Sequence, residues 1–315
     1  MMLRRSLRAA AYTCIGIAVL ALCVRALAQD AWPLSAWIFY FVPSPVIALL
    51  LLAATILFAA TTASVPALAC LVAATLVYAQ WHFRQEFHWP CASVEQGIRV
   101  LAWNVARGRA GWDAVAEYAR QTDADVIGLV EAGDASAERL QFWREHFEGY
   151  TTLVPGGGLV LLVRGDVESS RFHQLVGISA ALAADLEVGG KKLHLVLADL
   201  DASPRFDKRR LTESLLGLTD SASGAPAILM GDFNMPIDSR WFEPLRRHYT
   251  HAFEQSGNGR LATWPADTPL VALDHVWVSN GLRPACAVLV STGLSDHRAF
   301  LTDLAYEAAA DAPLL

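Results

Sequence analysis

Five short stretches, scattered through the last two thirds of the chain, carry side chains suited to a single reaction. Glu131 and Asp296 are hard oxygen donors. Mg²⁺ prefers one or two such carboxylates, with water and a phosphate completing its shell. Asp232 can accept a proton from water, while Asn104, Asn234 and His297 can donate hydrogen bonds to developing negative charge. Asp274 can hold His297 protonated or correctly oriented. The chemistry these types offer together is metal-assisted attack of water on a phosphate ester, with Mg²⁺, or Mn²⁺ in its place, as the cofactor.

Each residue also has a plain structural reading. Asp232 and Asn234 suit a turn, Glu131 suits a helix start, and Ser295-Asp296-His297 suits a capping segment. Asp274-His275 suits a strand edge. Successive strand residues face opposite ways, so His275 is read as structural once Asp274 is given to the site.

The elements that must position these groups alternate. Apolar strands are expected at 98–104, 125–131, 159–164, 193–198, 227–232, 273–278 and 297–304. Helical spacing occurs at 112–122 and 207–218. Several strands end in a candidate residue, and ligand sites on open α/β sheets gather at such edges. Taken alone, the alternation favours a doubly wound parallel sheet.

The segments VLAWNV (100–105), VIGLVEAGD (126–134), ILMGDFNMP (228–236), LDHVWVS (273–279) and LSDHRAF (294–300) resemble the endonuclease/exonuclease/phosphatase superfamily, the DNase I-like metal-dependent phosphohydrolases. They stand in that family's order and span about 98–304. The resemblance implies an α/β fold of another kind, a four-layered α/β sandwich with two mostly antiparallel sheets. It implies Glu131 on Mg²⁺, with Asn104 and Asp296 as ligands or close by. It also implies Asp232 activating water, Asn234 binding phosphate, and His297 with Asp274 stabilising pentavalent phosphorus. One position departs from the family: Val196-Leu197-Ala198-Asp199-Leu200 carries Asp199 where a phosphate-contacting His is expected. His194 is too far along an extended strand to replace it.

Three apolar runs precede this region, at about 9–28, 37–59 and 62–80, each near the roughly 20 residues that cross a bilayer. Arg4, Arg5 and Arg8 place the N-terminus in the cytoplasm. Three crossings then put the rest outside it, in the periplasm of a bacterial cell with the anchor in its inner membrane. A signal peptide ending at Ala26-Leu27-Ala28 competes for the first run, but Arg25 counts against cleavage there. The division expected is a membrane anchor over 1–82 with three transmembrane helices, a juxtamembrane linker over 83–97, a catalytic domain over 98–307 and a tail over 308–315.

Composition narrows the partners. Hydrophobic residues make up 54% of the 315 and charged residues 18%, too apolar for an ordinary soluble domain. Residues 1–96 carry +2 and the remainder −8, which excludes a protein that coats nucleic acid through a basic face. Arg205, Lys208, Arg209 and Arg210 read as a solvated helix face, and Trp264 as a loop aromatic. Cys14, Cys23 and Cys70 lie in apolar runs; Cys91 and Cys286 can pair in an oxidising compartment, although two free thiols are the simpler expectation.

The combined expectation is a membrane-anchored hydrolase of phosphate esters that works beside the lipid bilayer. Its substrate would be a phospholipid, another envelope phosphoester or nucleic acid. The alternative is an envelope receptor that keeps the fold and binds a phosphorylated ligand without turnover. No feature of the sequence calls for an obligate protein partner.

Overall fold

The computed structural model describes residues 2–92, 94, 97–219 and 224–307. The tail expected at 308–315 and three linker positions (93, 95 and 96) lie outside the described residues. The chain divides into two compact units, Met1–Glu86 and Phe87–Leu315.

The first unit is helical. Helix α1 (Met2–Cys23) runs on into a π-helical turn, Val24–Ala28, and is followed by α2 (Pro33–Phe41), α3 (Ser44–Ala60) and α4 (Ser64–Gln85). Small residues let the helices approach: Ala11, Ala54 and Ala67 pack with Phe58 and Cys70, and Ala18, Ala21 and Ala74 with Ile47 and Leu51. Their outward faces are apolar too, including Leu20, Ile56, Leu68 and Leu76. The expected second run of 37–59 is not one straight helix. Pro43 lacks an N–H and pushes the residue before it out of the helical region; Val42 sits at φ −120°, ψ 64°. The chain therefore bends by 71° between α2 and α3. Among the described residues, two helices, Met2–Ala28 and Ser64–Gln85, are individually long and apolar enough to cross a membrane, and α2 with α3 makes a third only as a broken span.

In the second unit the stretch read as linker is tied down. Trp89 donates from its backbone N–H to the Gly257 carbonyl (3.1 Å) and from Nε1 to the Glu254 carbonyl (3.1 Å). Cys91 forms a disulfide with Cys286, 195 residues away, contrary to the expectation of two free thiols.

Two six-stranded sheets follow. One contains β1 (Gly97–Asn104), β2 (Val126–Val130), β3 (Thr151–Gly156), β4 (Leu159–Val163), β11 (Leu282–Val290) and β12 (Ala299–Tyr306), in the order β11-β12-β1-β2-β4-β3. The other contains β5 (Asp166–Gln174), β6 (Ala180–Val188), β7 (Lys191–Asp199), β8 (Ala227–Asp232), β9 (Tyr249–His251) and β10 (Asp274–Ser279), in the order β9-β10-β8-β7-β6-β5. Each sheet has one parallel pair, β1–β2 and β7–β8; the other pairings are antiparallel. Parallel neighbours need a crossover, supplied by α5 (Trp112–Gln121) and α7 (Lys208–Leu218). The alternation seen in the sequence thus marks two local crossovers, not a doubly wound parallel sheet.

The sheets pack face to face around Gly128. A Cβ there would lie 2.3 Å from Met230 Cε and 2.8 Å from Leu197 Cδ1, both on the opposite sheet. Helices α5 and α6 (Ala137–His146) cover the outer face of the first sheet through Val115, Ala119 and Trp143, packed on Leu101, Trp103 and Leu129. On α7, Leu211 and Leu215 are buried, which completes the four layers.

Adjacent strands β9 and β10 of the second sheet carry a buried imidazole pair. His275 Nδ1 faces His251 Nε2 at 3.2 Å, and His275 Nε2 faces the Met235 carbonyl at 2.9 Å. Burial lowers the His275 pKa to about 4 and that of His251 well below its ordinary value. The unfolded chain takes up a proton on His275 below about 6.5, whereas the folded chain resists until about 4. Folding stability therefore falls as pH drops through that window, by about 3 kcal/mol for His275 alone. Urea unfolding of the detergent-solubilised chain at pH 7 and pH 4.5 checks this: His275→Gln is expected to flatten the loss, and an unchanged slope would refute the assignment.

Candidate active site

The two parallel pairs place strand ends at one edge, and the candidate residues stand on them. Asn104 closes β1 and pairs in register with Val130, the residue before Glu131. Asp232 closes β8. Its register partners are Asp199, at the end of β7, and Asp274, at the start of β10. Three carboxylates therefore lie side by side across adjacent strands. Gly231 makes the close approach before Asp232: its φ is 132°, and a Cβ there would meet the Ala198 carbonyl oxygen at 1.9 Å.

Hydrogen bonds join the two sheets at this edge. Asn104 Nδ2 donates to Asp232 Oδ2 (2.9 Å) and to Glu131 Oε1 (3.2 Å). Asn104 Oδ1 accepts from the Ala106 N–H at 2.9 Å. Since that N–H can only donate, the orientation of the amide is fixed. Asn104 thus turns its nitrogen, not its oxygen, to the Glu131 and Asp232 carboxylates. Asp232 Oδ1 accepts from the Asn234 N–H (2.9 Å), and Asn234 Nδ2 donates to the Leu200 carbonyl (2.8 Å). Glu131 and Asn234 both adopt left-handed backbone, at φ 51° and 47°. Asn tolerates this region well; Glu occupies it at a cost that surrounding structure must hold.

His297 completes the cluster. Its Nδ1 lies 2.8 Å from Asp274 Oδ2 and 3.8 Å from Asp232 Oδ2. All three residues are buried. Ser295 holds the loop: its hydroxyl donates to the Asn104 carbonyl (2.7 Å) and accepts from the His297 N–H (3.0 Å). Thr263 Oγ1 accepts from the Leu273 and Asp274 N–H groups at 2.9 and 3.2 Å. The sequence reads Ser295 only as part of a capping segment and does not single out Thr263. Both hydroxyls hold backbone, and Thr263, a lone hydroxyl in a loop, carries no spacing signal.

The electrostatics follow from burial and crowding. Burial would discharge His297, but Asp274 and Asp232 outweigh it and raise its pKa to about 10, so the imidazole is protonated at neutral pH. Burial and the Asp274 charge push Asp232 up to about 7. Asp199 is held well above the carboxylate range by burial and by Asp232, Glu131 and Asp274.

The cluster fits a divalent cation. Among the described residues, ligand atoms of Asp232, Asp274 and His297 lie within 4.8 Å of one another. Asp274 Oδ1 is buried with no hydrogen-bond partner. A protonated His297 is a poor ligand, which leaves hard oxygen donors from Asp232, Asp274 and the nearby Glu131, a set suited to Mg²⁺. Asp296 joins less directly. Its side chain pairs with Arg109 at 3.5 Å, and its carbonyl accepts from the Ala266 N–H. Of the residues read as lying elsewhere, His194 is structural, bonded to Asp185 Oδ1 and the Leu218 carbonyl. Lys208 is buried and donates to the Asp201 carbonyl, so it is not part of a solvated face.

Comparison with known proteins adds the following. The sequence profile of the Endonuclease/Exonuclease/phosphatase family matches residues 101–297. No curated protein matches the sequence. Among solved structures, an endonuclease/exonuclease/phosphatase from Bacteroides vulgatus superimposes with a TM-score of 0.58 at 17% identity, covering 68% of this chain and 100% of its own. TDP2 of D. rerio, complexed with a single-strand DNA product, gives 0.53 at 17% identity, covering 67% and 99%. A mannosyl-6-phosphatase of Bacteroides thetaiotaomicron gives 0.55 at 14% identity, covering 66% and 99%. At these identities the structures speak for the fold. The profile runs from β1 to His297 and so takes in every strand end that carries a candidate residue: this chain belongs to the endonuclease/exonuclease/phosphatase family.

Proposed function

We propose that the protein is a membrane-anchored, divalent-metal-dependent hydrolase of phosphate esters. The observation that carries this reading is the convergence of Asn104, Glu131, Asp232, Asp274 and His297 through direct hydrogen bonds and ion pairs from both sheets. Glu131, with Asp296, would hold Mg²⁺ or Mn²⁺ beside the Asp232 and Asp274 carboxylates. When bound, the ion neutralises phosphate charge and lowers the pKa of water. Asp232, oriented by Asn104 and the Asn234 N–H, takes the proton from the attacking water. His297 donates Nδ1–H to Asp274 and presents Nε2–H to a phosphate oxygen, where negative charge accumulates. Asn234 fixes the Asp232 carboxylate and stands beside the phosphate.

Asp199 favours a second reading, a receptor that binds a phosphorylated ligand without turnover, because it offers phosphate no cationic partner where the family resemblance leads one to expect a His. Hydrolysis of bis(p-nitrophenyl) phosphate and of a panel of nucleic acids, phospholipids and phosphosugars by the detergent-solubilised chain separates the two. The hydrolase reading expects activity that EDTA abolishes and Mg²⁺ or Mn²⁺ restores. It expects Asp232→Ala or His297→Ala to lower kcat by about 10²-fold or more. Metal-dependent ligand binding with no turnover on any substrate would establish the receptor.

The pH profile tests the His297–Asp274 pair. Because the charged form of His297 is stabilised to about 10, the alkaline fall in kcat is expected near that value. Asp274→Asn removes the charge that sustains the imidazolium and should move the fall toward neutrality. An alkaline limb that stays in place would remove Asp274 from this role. On the acid side Asp232 must be ionised, so kcat rises with pH up to a midpoint at or below about 7; a bound cation favours the carboxylate and lowers it.

The anchor reading rests on the apolar helices, and the disulfide gives it a side. With the basic N-terminus in the cytoplasm, two crossings return the second unit to the cytoplasm, whereas three, with α2 and α3 as one broken span, place it outside. Disulfides persist in oxidising compartments, and the Cys91–Cys286 bond favours three. A periplasm-active reporter fused after Leu315 is expected to be active; a signal only from a cytoplasmic reporter would overturn the topology.

A further inference from the structure

Two arginines outside the five motifs rest on the carboxylates assigned to the metal. Arg107 Nε lies 3.1 Å from Glu131 Oε2, and Arg109 Nη1 lies 3.5 Å from Asp296 Oδ2. The two arginine side chains are 81% and 61% exposed. Ion pairs at such exposure are weak and exchange readily.

The backbone beneath them is fixed. Ala106 and Arg107 occupy left-handed backbone at φ 47° and 56°. Consecutive non-glycine residues persist there only where the surroundings hold them, and such strain gathers at functional sites. Here the holding groups belong to the site itself. The Ala106 N–H donates to Asn104 Oδ1 at 2.9 Å, and the Arg107 N–H donates to the Glu131 carbonyl at 3.1 Å. The Gly108 N–H and Arg109 N–H close the turn on the Val105 and Ala106 carbonyls. A loop held by these bonds therefore presents two exposed cations at the rim of the cluster.

The cluster needs them. Asp199, Asp232, Asp274 and Glu131 are acidic, and His297 is the cationic side chain among them. A phosphate diester or monoester approaching this edge meets carboxylates, with Asp199 offering it no cationic partner. Arginine stays charged, and its planar fork matches two phosphate oxygens. A divalent ion at Glu131 and Asp296 competes for the same oxygens that the guanidinium groups hold.

From this geometry we infer that Arg107 and Arg109 form a phosphate clamp that exchanges partners. They pair with Glu131 and Asp296 as seen here, and with non-bridging phosphate oxygens of the substrate once a divalent cation takes those carboxylates. The inference rests on the phosphoester reading of the site and adds to it the groups that bind the substrate's anionic charge.

The test uses the full chain in detergent, with Arg107→Ala, Arg109→Ala, the double variant and the two lysine replacements. Mn²⁺ affinity is read by electron paramagnetic resonance of the free ion. Inorganic phosphate affinity is read by calorimetry on Mg²⁺-saturated protein. The double alanine variant is expected to bind Mn²⁺ more tightly, because a competing cation is gone. It should bind phosphate about tenfold more weakly, with the lysine variants in between. Unchanged phosphate affinity in the double variant overturns the clamp; if Mn²⁺ alone binds tighter, the arginines merely shield the acids. A wild-type chain that binds Mn²⁺ and phosphate, loses phosphate affinity in the double variant and hydrolyses no ester would defeat the catalytic reading and leave the clamp standing. A wild type that hydrolyses esters, with KM and phosphate affinity the same in the variant, would defeat the clamp alone.

Discussion

Asp199, Asp232 and Asp274 face one another directly across three adjacent strands, and like charges in that relation repel. The rest of the edge is arranged around this repulsion. His297 sits where it can answer two of the three carboxylates, and their joint field keeps it charged against its own burial. Asn104 reaches across from the other sheet to donate to Asp232 and Glu131 with one amide nitrogen. What remains uncompensated is borne by raised carboxyl pKa values and by the unpartnered Asp274 Oδ1. A folded protein keeps such an arrangement at a cost to its stability, and a cation held among the acids offsets that cost.

The same constraint explains why the fold needs two sheets. A single sheet edge can line up carboxylates, but the donors that orient them must come from another direction. Packing the sheets at Gly128 brings the end of β1 to the end of β8, so Asn104 reaches Asp232 across 128 positions of sequence. Ser295 then locks the loop before β12 to the Asn104 carbonyl. His297 is placed by the backbone of one sheet and by the carboxylates of the other.

Much of this was legible in the sequence, for a physical reason. Strands β1, β2, β7 and β8 are buried on both faces, so they read as apolar runs, and a polar residue at their ends stands out. Strand β5, with the sequence DVESSRFHQ, is an exposed edge strand and gave no such contrast; α6, rich in charged residues on its outer face, gave little. The bend at Pro43 is hidden from hydropathy, which averages over a proline that the backbone cannot. Which of two packing plans would use the alternating elements was not visible in their periodicity; the motif order supplied it. The Cys91–Cys286 bond depends on a contact across 195 residues, and no local pattern encodes that. The orientation of the Asn104 amide depends on the N–H of a left-handed residue two positions later, a conformation that neither Ala106 nor Arg107 announces by type.

Asp199 joins these points. A neutral or cationic donor at the end of β7 would give a phosphate a direct partner at the sheet edge. An aspartate there lengthens the row of acids instead, and burial together with Asp232, Glu131 and Asp274 holds its own carboxyl well above the ordinary range. In the proposed clamp the task of gripping phosphate lies away from the buried strands, with side chains on a surface loop. Strand-end side chains are fixed by the ladder and select one geometry, whereas arginines on a rigid loop reach phosphates of varied substitution. A site built this way is suited to recognise the charge and spacing of its ester before the identity of the groups attached to it.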